Sequence, residues 1–271
     1  MVRKPPTARL VARVLAVLAV LAAAPAVAGP FEDTVAAYGR GDYATALRLG
    51  RPLADQGNPS AQAMLGLMYA LGRGVPQDYA AALTWYRKAA DKGLASAQSD
   101  LASMYDQGFG VKQNYAAAMA WYRKAADQGF AGAEYNLGLM YANGKGVPKD
   151  AQAAVTWLRK AADHGDANAR FTLGDMYGNG EGVPQDFTAA VSWYRAAAEQ
   201  GFSDAQFNLG LMYRGGKGVP QDYVTADMWF NLAATGNQDA LQERELVERL
   251  MTPAQIAEAQ KLAREWKPRP N

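Results

Sequence analysis

Apolar positions along this chain follow two superposed rhythms, a short one at helical spacing and a long one of 36 residues. From about 133 to 142, Ala133, Leu137, Met140 and Tyr141 fall on one stripe at 100° per residue, which predicts an amphipathic helix. The stripe breaks at Gly144-Lys145-Gly146-Val147-Pro148, where glycine permits a left-handed cap and proline cannot continue a helix. Asp150 then stands at an N-cap position, followed by a second helix carrying Ala154, Trp157, Leu158, Ala161 and Ala162 and ended by Gly165.

This two-helix unit recurs. Trp85, Trp121, Trp157, Trp193 and Trp229 keep the 36-residue step, and so do Leu65, Leu101, Leu137, Leu173 and Leu209. Tyr69, Tyr105, Tyr141, Tyr177 and Tyr213 form a third column. The N-cap column is Asp78, Asn114, Asp150, Asp186 and Asp222, all side chains able to accept from an orphan helical N–H. Gly138, at the edge of its stripe, and alanines such as Ala82, Ala89 and Ala90 let helices approach closely. One hairpin cannot bury its apolar face alone, so the units must stack. The expected fold is all-α, a right-handed α-solenoid of stacked antiparallel helical hairpins with about 14 helices. The tryptophan, tyrosine, leucine and methionine columns are expected to face inward, so Trp157→Ala should cost about 3–5 kcal/mol.

The ends depart from the pattern. Residues 29–57 read as a capping hairpin, in which Tyr43 matches Tyr79 but Leu49 replaces the tryptophan. Five full repeats occupy 58–237, the last closing one residue early at Gly236. Residues 238–266 read as two capping helices, one ending near Leu250 and one opening at Thr252-Pro253. Ile256, Ala259, Ala263 and Trp266 of the latter are spaced to cover the last repeat, and 267–271 are expected to fray.

The segment 1–28 stands apart. Arg3, Lys4, Arg9 and Arg13 precede an apolar run from Val14 to Ala24 and the small-x-small end Ala26-Val27-Ala28, the plan of an export signal cleaved near Ala28. The competing reading is an uncleaved anchor, against which the run is short, since a spanning helix needs about 20 residues. Removing the signal turns a net charge of +2 into about −2, because 24 basic residues then face 26 acidic ones. No basic patch remains to suggest nucleic acid. With no cysteine anywhere, an exported protein must rely on packing alone and can carry no thiolate chemistry. A monomer in the periplasm or outside the cell is expected, with no membrane span in the mature chain.

The unit Ala133-x-x-x-Leu137-Gly138-x-Met140-Tyr141-x-x-Gly144-x-Gly146-Val147-Pro148-x-Asp150, followed by Ala154, Trp157, Arg159-Lys160-Ala161-Ala162 and Gly165, resembles the Sel1-like repeat, a relative of the tetratricopeptide repeat. The departures are Lys112 for the loop proline and Leu158 for the tyrosine after tryptophan. The resemblance implies an adaptor that binds other proteins. It also admits a periplasmic regulator docking on a membrane sensor kinase. A cysteine-rich branch is associated with β-lactam binding or hydrolysis, which this cysteine-free chain does not support; a cell-wall glycan or β-lactam-type ligand-binding protein or hydrolase remains the enzymatic alternative.

Catalytic chemistry finds little footing. The single histidine, His164, sits at a helix C-terminus, where a positive side chain suits the dipole. No G-x-S-x-G occurs, and the G-x-G loops follow helices rather than strands. Asp175 and Glu181 are the nearest approach to a carboxylate pair. No catalytic residue, metal ligand or cofactor is therefore assigned, and the chain reads as a non-enzyme.

What varies against the constant frame is informative. On the first helix of each repeat, the stripe opposite the packed one reads Ala63, Ser99, Tyr135, Phe171 and Phe207 from repeat to repeat. Beside it lie Ser103, Leu139, Asp175 and Leu211, then Asp106, Ala142, Gly178 and Arg214. In tetratricopeptide relatives this face is concave and binds partners. The expected site for a protein or extended peptide is Tyr135, Phe171 and Phe207 as anchors, with Leu139 and Leu211 beside them and Asp106, Asp175 and Arg214 tuning specificity. The alternative is that the aromatics pack against the next repeat.

Overall fold

The computed structural model describes residues 29–235 and 237–269, so the segment expected to be an export signal and Gly236 lie outside the described residues. Fourteen helices and no strand occur among them. They are α1 (Pro30–Gly39), α2 (Tyr43–Asp55), α3 (Pro59–Leu71), α4 (Tyr79–Asp91), α5 (Ala95–Gln107), α6 (Tyr115–Ala126) and α7 (Ala131–Asn143). There follow α8 (Ala151–Asp163), α9 (Ala167–Asn179), α10 (Phe187–Ala198), α11 (Ser203–Gly215), α12 (Tyr223–Ala233), α13 (Gln238–Glu248) and α14 (Pro253–Glu265). Consecutive helices pair as hairpins, and hairpins stack as an all-α solenoid. No helix among the described residues is long and apolar enough to cross a membrane.

Two compact units divide the chain, residues 1–125 and 126–271. In the first, Leu65, Met68, Tyr86 and Leu101 are fully buried among alanines of α2 to α5. In the second, Leu137, Leu158, Leu173, Leu209 and Phe230 occupy the same role.

The loops between paired helices are built alike. The Asp150 carboxylate accepts from the Ala153 N–H at 2.9 Å, and the Asp150 N–H donates back across the loop to the Tyr141 carbonyl at 2.9 Å. The same backbone link joins Asp78 to Tyr69, Asn114 to Tyr105, Asp186 to Tyr177 and Asp222 to Tyr213. A glutamine preceding the cap adds a further tie: Gln185 Nε2 donates to the Gly178 carbonyl at 2.7 Å, capping one of the orphan carbonyls of α9. The second loop glycine has its own cause. Gly182 has φ +71°, and a Cβ there would lie 2.4 Å from the Ala151 carbonyl oxygen of the preceding hairpin. No side chain fits that approach.

In four of the five repeats a residue of the second helix presses on a glycine of the first; in the second repeat that position is Ala102. A Cβ on Gly66 would meet the Tyr86 ring at 2.8 Å, on Gly138 the Leu158 side chain at 2.7 Å, on Gly174 the Tyr194 ring at 2.5 Å, and on Gly210 the Phe230 ring at 2.6 Å. This corrects the expectation for the tryptophans. Trp85 and Trp229 are buried, but Trp121, Trp157 and Trp193 are only half-buried. The residue after each tryptophan points between the paired helices and is the one that leaves water: Tyr86, Tyr122, Leu158, Tyr194 and Phe230 are all at most 4% exposed. The tyrosine column is likewise half-buried. Its hydroxyls meet arginines 18 residues earlier, Arg87 to Tyr105 in the first unit and Arg195 to Tyr213, at 2.5 Å, in the second.

The C-terminal cap forms as its residues dictate. Thr252 and Gln255 make a reciprocal capping box at the start of α14. Trp266 reaches the Trp229 ring, edge to face at 6.3 Å. Of the tail expected to fray, residues 267–269 are described. Pro268 approaches Gly201, and the Arg269 N–H donates to the Glu199 carbonyl at 2.7 Å, because α10 ends there with a carbonyl to satisfy.

Candidate functional site

In the second unit, α7, α9 and α11 carry the face selected from the sequence. Tyr135 on α7 is half-buried and packs on the Ala154, Val155 and Leu158 cluster, with half-buried Leu139 one turn later. Phe171 on α9 lies 5.9 Å from the Tyr194 ring and 5.3 Å from the Phe202 ring. Phe207 on α11 lies 5.9 Å from Phe230, and Leu211 joins it against the Phe230 and Val247 cluster. Each anchor thus has one side in the core and one toward solvent. Such rings are held in place before any ligand arrives, which lowers the entropy lost on binding.

The polar members are also fixed. Asp175 Oδ1 accepts from the Tyr194 hydroxyl at 2.6 Å and from Asn208 Nδ2 at 3.3 Å. Burial lifts the Asp175 carboxyl above its ordinary value, the Tyr194 hydroxyl opposes that rise, and Glu181 and Asp204 add to it. Burial, with the Asp175 carboxylate beside it, also pushes the Tyr194 phenol well up. Arg214 is paired with Glu243 of α13. Asp106 belongs to the first unit, on α5, where its carboxylate accepts from Gln107 Nε2 at 2.7 Å.

Several partners escaped the sequence reading. Tyr194, Asn208 and Glu243 position Asp175 and Arg214 from other helices. Glu134 is another. The residue at its place in the other repeats is Gln62, Gln98, Arg170 or Gln206, each donating to a carbonyl eight residues earlier. Glu134, 2% exposed, instead meets His164 Nδ1 at 2.7 Å. The histidine is therefore the partner of a buried carboxylate, a correction to its reading as a simple helix-end cation. Asp227 is the third. It replaces the apolar Leu83, Met119, Val155 and Val191 of earlier repeats and is fully buried, with Arg244 Nε 4.0 Å away on α13. Both substitutions break a column and were visible in the aligned repeats.

No three acidic or histidine side chains converge to hold a metal among the described residues. The sequence matches the Sel1 repeat model five times in succession, at residues 59–94, 95–130, 131–166, 167–202 and 203–237. The chain belongs to the Sel1 repeat family. A Sel1 repeat protein from Oxalobacter formigenes is 36% identical over 87% of this chain and 96% of its own, with a TM-score of 0.76. A protective antigen from uropathogenic Escherichia coli strains, displaying an SLR fold, is 31% identical over 85% of this chain and 66% of its own, with a TM-score of 0.37. PA5086 from Pseudomonas aeruginosa is 23% identical over 93% of this chain and 91% of its own, with a TM-score of 0.50. No curated protein matches. Sel1 repeat proteins are typically scaffolds for protein interaction.

Proposed function

We propose that this protein is an exported, non-enzymatic Sel1 scaffold that binds a protein or extended peptide on the face formed by the first helices of its repeats. The observation that carries this reading is the ladder of Tyr135, Phe171 and Phe207, half-buried on three consecutive repeats with Leu139 and Leu211 beside them. Rigid aromatics with one side in water are the groups that dominate interface energetics. Asp175, held by Tyr194 and Asn208, and Arg214, held by Glu243, supply fixed charges at its edge. The positive head, apolar run and small-x-small end at residues 1–28 support work in the periplasm or outside the cell.

The test is affinity capture from a native envelope extract with the chain from Gly29 as bait. Its control is a Tyr135→Ala/Phe171→Ala/Phe207→Ala variant matched for folding by circular dichroism. A protein enriched by the parent and lost by the equally folded variant supports the reading. Equal retention by both puts the site elsewhere, and capture by neither removes the adaptor function.

A further inference from the structure

On the second helices, a lysine three residues after the tryptophan covers the indole. Lys88 Nζ lies 4.2 Å from the Trp85 ring centroid, Lys124 Nζ 4.0 Å from Trp121, and Lys160 Nζ 4.5 Å from Trp157. In the fourth repeat that lysine is Ala196. Among the described residues no cation lies over the Trp193 ring, and an open cavity of about 390 Å³ stands there instead. Its walls include Trp193, Ala196, Asp163, Glu199, Arg170 and Arg269.

The charges of this cavity are arranged unequally. The Arg170 guanidinium is turned to the carbonyls of Ala162, at 3.2 Å, and Ala196, at 3.5 Å, so its donors are engaged with helix C-termini. Arg269 sits 4.0 Å from the Glu199 carboxylate. Asp163 is exposed, and among the described residues no salt bridge reaches it.

In the last repeat the protein's own tail lies at the equivalent place, with the Trp266 ring against the Trp229 indole and Arg269 beside Glu199, whose carbonyl it bonds. Pro268 packs on Gly201. One repeat earlier the equivalents of Trp229, Gly201 and Glu199 are Trp193, Gly165 and Asp163, and two of these line the cavity.

We propose that the cavity binds a lysine or arginine side chain from an extended, proline-containing segment of a partner, seated over Trp193 with Asp163 as its counter-charge. The ammonium or guanidinium takes the place over the ring that Lys88, Lys124 and Lys160 fill in other repeats. A second-helix site of this kind is separate from the aromatic ladder on the first helices.

Isothermal titration of the full chain with a blocked peptide of sequence Glu-Trp-Lys-Pro-Arg-Pro tests this. The expected result is saturable binding at one site. Ala196→Lys, which supplies the missing cation without removing any core atom, should weaken it at least about tenfold, and Asp163→Lys should do the same. A peptide with glutamine at both basic positions should not bind. The Tyr135→Ala/Phe171→Ala/Phe207→Ala variant should bind the parent peptide unchanged, which separates this site from the ladder. No binding by the parent chain, or equal binding by the Ala196→Lys variant, overturns the proposal.

Discussion

Tyr194 closes on Asp175 from the facing helix, its hydroxyl donating to Oδ1 at 2.6 Å, while its ring covers the glycine just before that aspartate. One residue thus does two tasks: it fills the hairpin core and pins a charge on the face that carries Phe171.

The glycine under that ring is the first test. A Cβ on Gly174 would fall 2.5 Å from the Tyr194 ring, so Gly174→Ala should destabilise the fold by about 1–3 kcal/mol despite the better helix propensity of alanine. Urea denaturation reads the change. A gain in stability would show that the hairpin has slack the close approach denies.

Leu158 and Trp157 offer a second. Leu158 is fully buried and Trp157 half-buried, so the smaller side chain should matter more. Leu158→Ala should cost about 2–5 kcal/mol. Trp157→Ala should cost less than Leu158→Ala, below the range expected for a buried tryptophan, and a reversed order in paired denaturation curves would refute the assignment of the interior.

The buried acid of the third repeat gives a double-mutant cycle. His164→Ala removes the partner of a carboxylate that is 2% exposed and should cost about 1–3 kcal/mol. Glu134→Gln restores the residue type of Gln62, Gln98 and Gln206, so His164→Ala should cost much less in that background. Equal costs in both backgrounds would mean the pair is not coupled.

Asp227 makes stability depend on pH. Burial, together with Glu248, pushes its carboxyl up to about 6, against an opposing effect of Arg244, from an ordinary 3.8. A carboxyl raised in the folded state favours folding most when protonated, so this group's contribution is present below about pH 4 and lost as pH rises through about 6. The loss is about 3 kcal/mol. Asp227→Asn should flatten that part of the profile, measured as denaturation midpoints from pH 4 to 7.5. An unchanged profile would show that Asp227 is not desolvated in solution.

Much of this was legible from the residues alone. The 36-residue columns, the helix ends at Asp150 and Gly144, and the capping box start at Thr252 depend on neighbours a few positions apart, so local chemistry determined the hairpins and their number. The face of Tyr135, Phe171 and Phe207 followed from the helical period. What the fold alone decided involves residues 18 to 36 apart. Whether Trp157 or Leu158 faces inward, why Gly182 has no side chain, and which partners hold Asp175 and Arg214 all depend on how closely paired and stacked helices approach. Adjacent residues on one helix are equally apolar in sequence, and only the neighbouring backbone, arriving within van der Waals contact, distinguishes the one that leaves water from the one that stays at its edge.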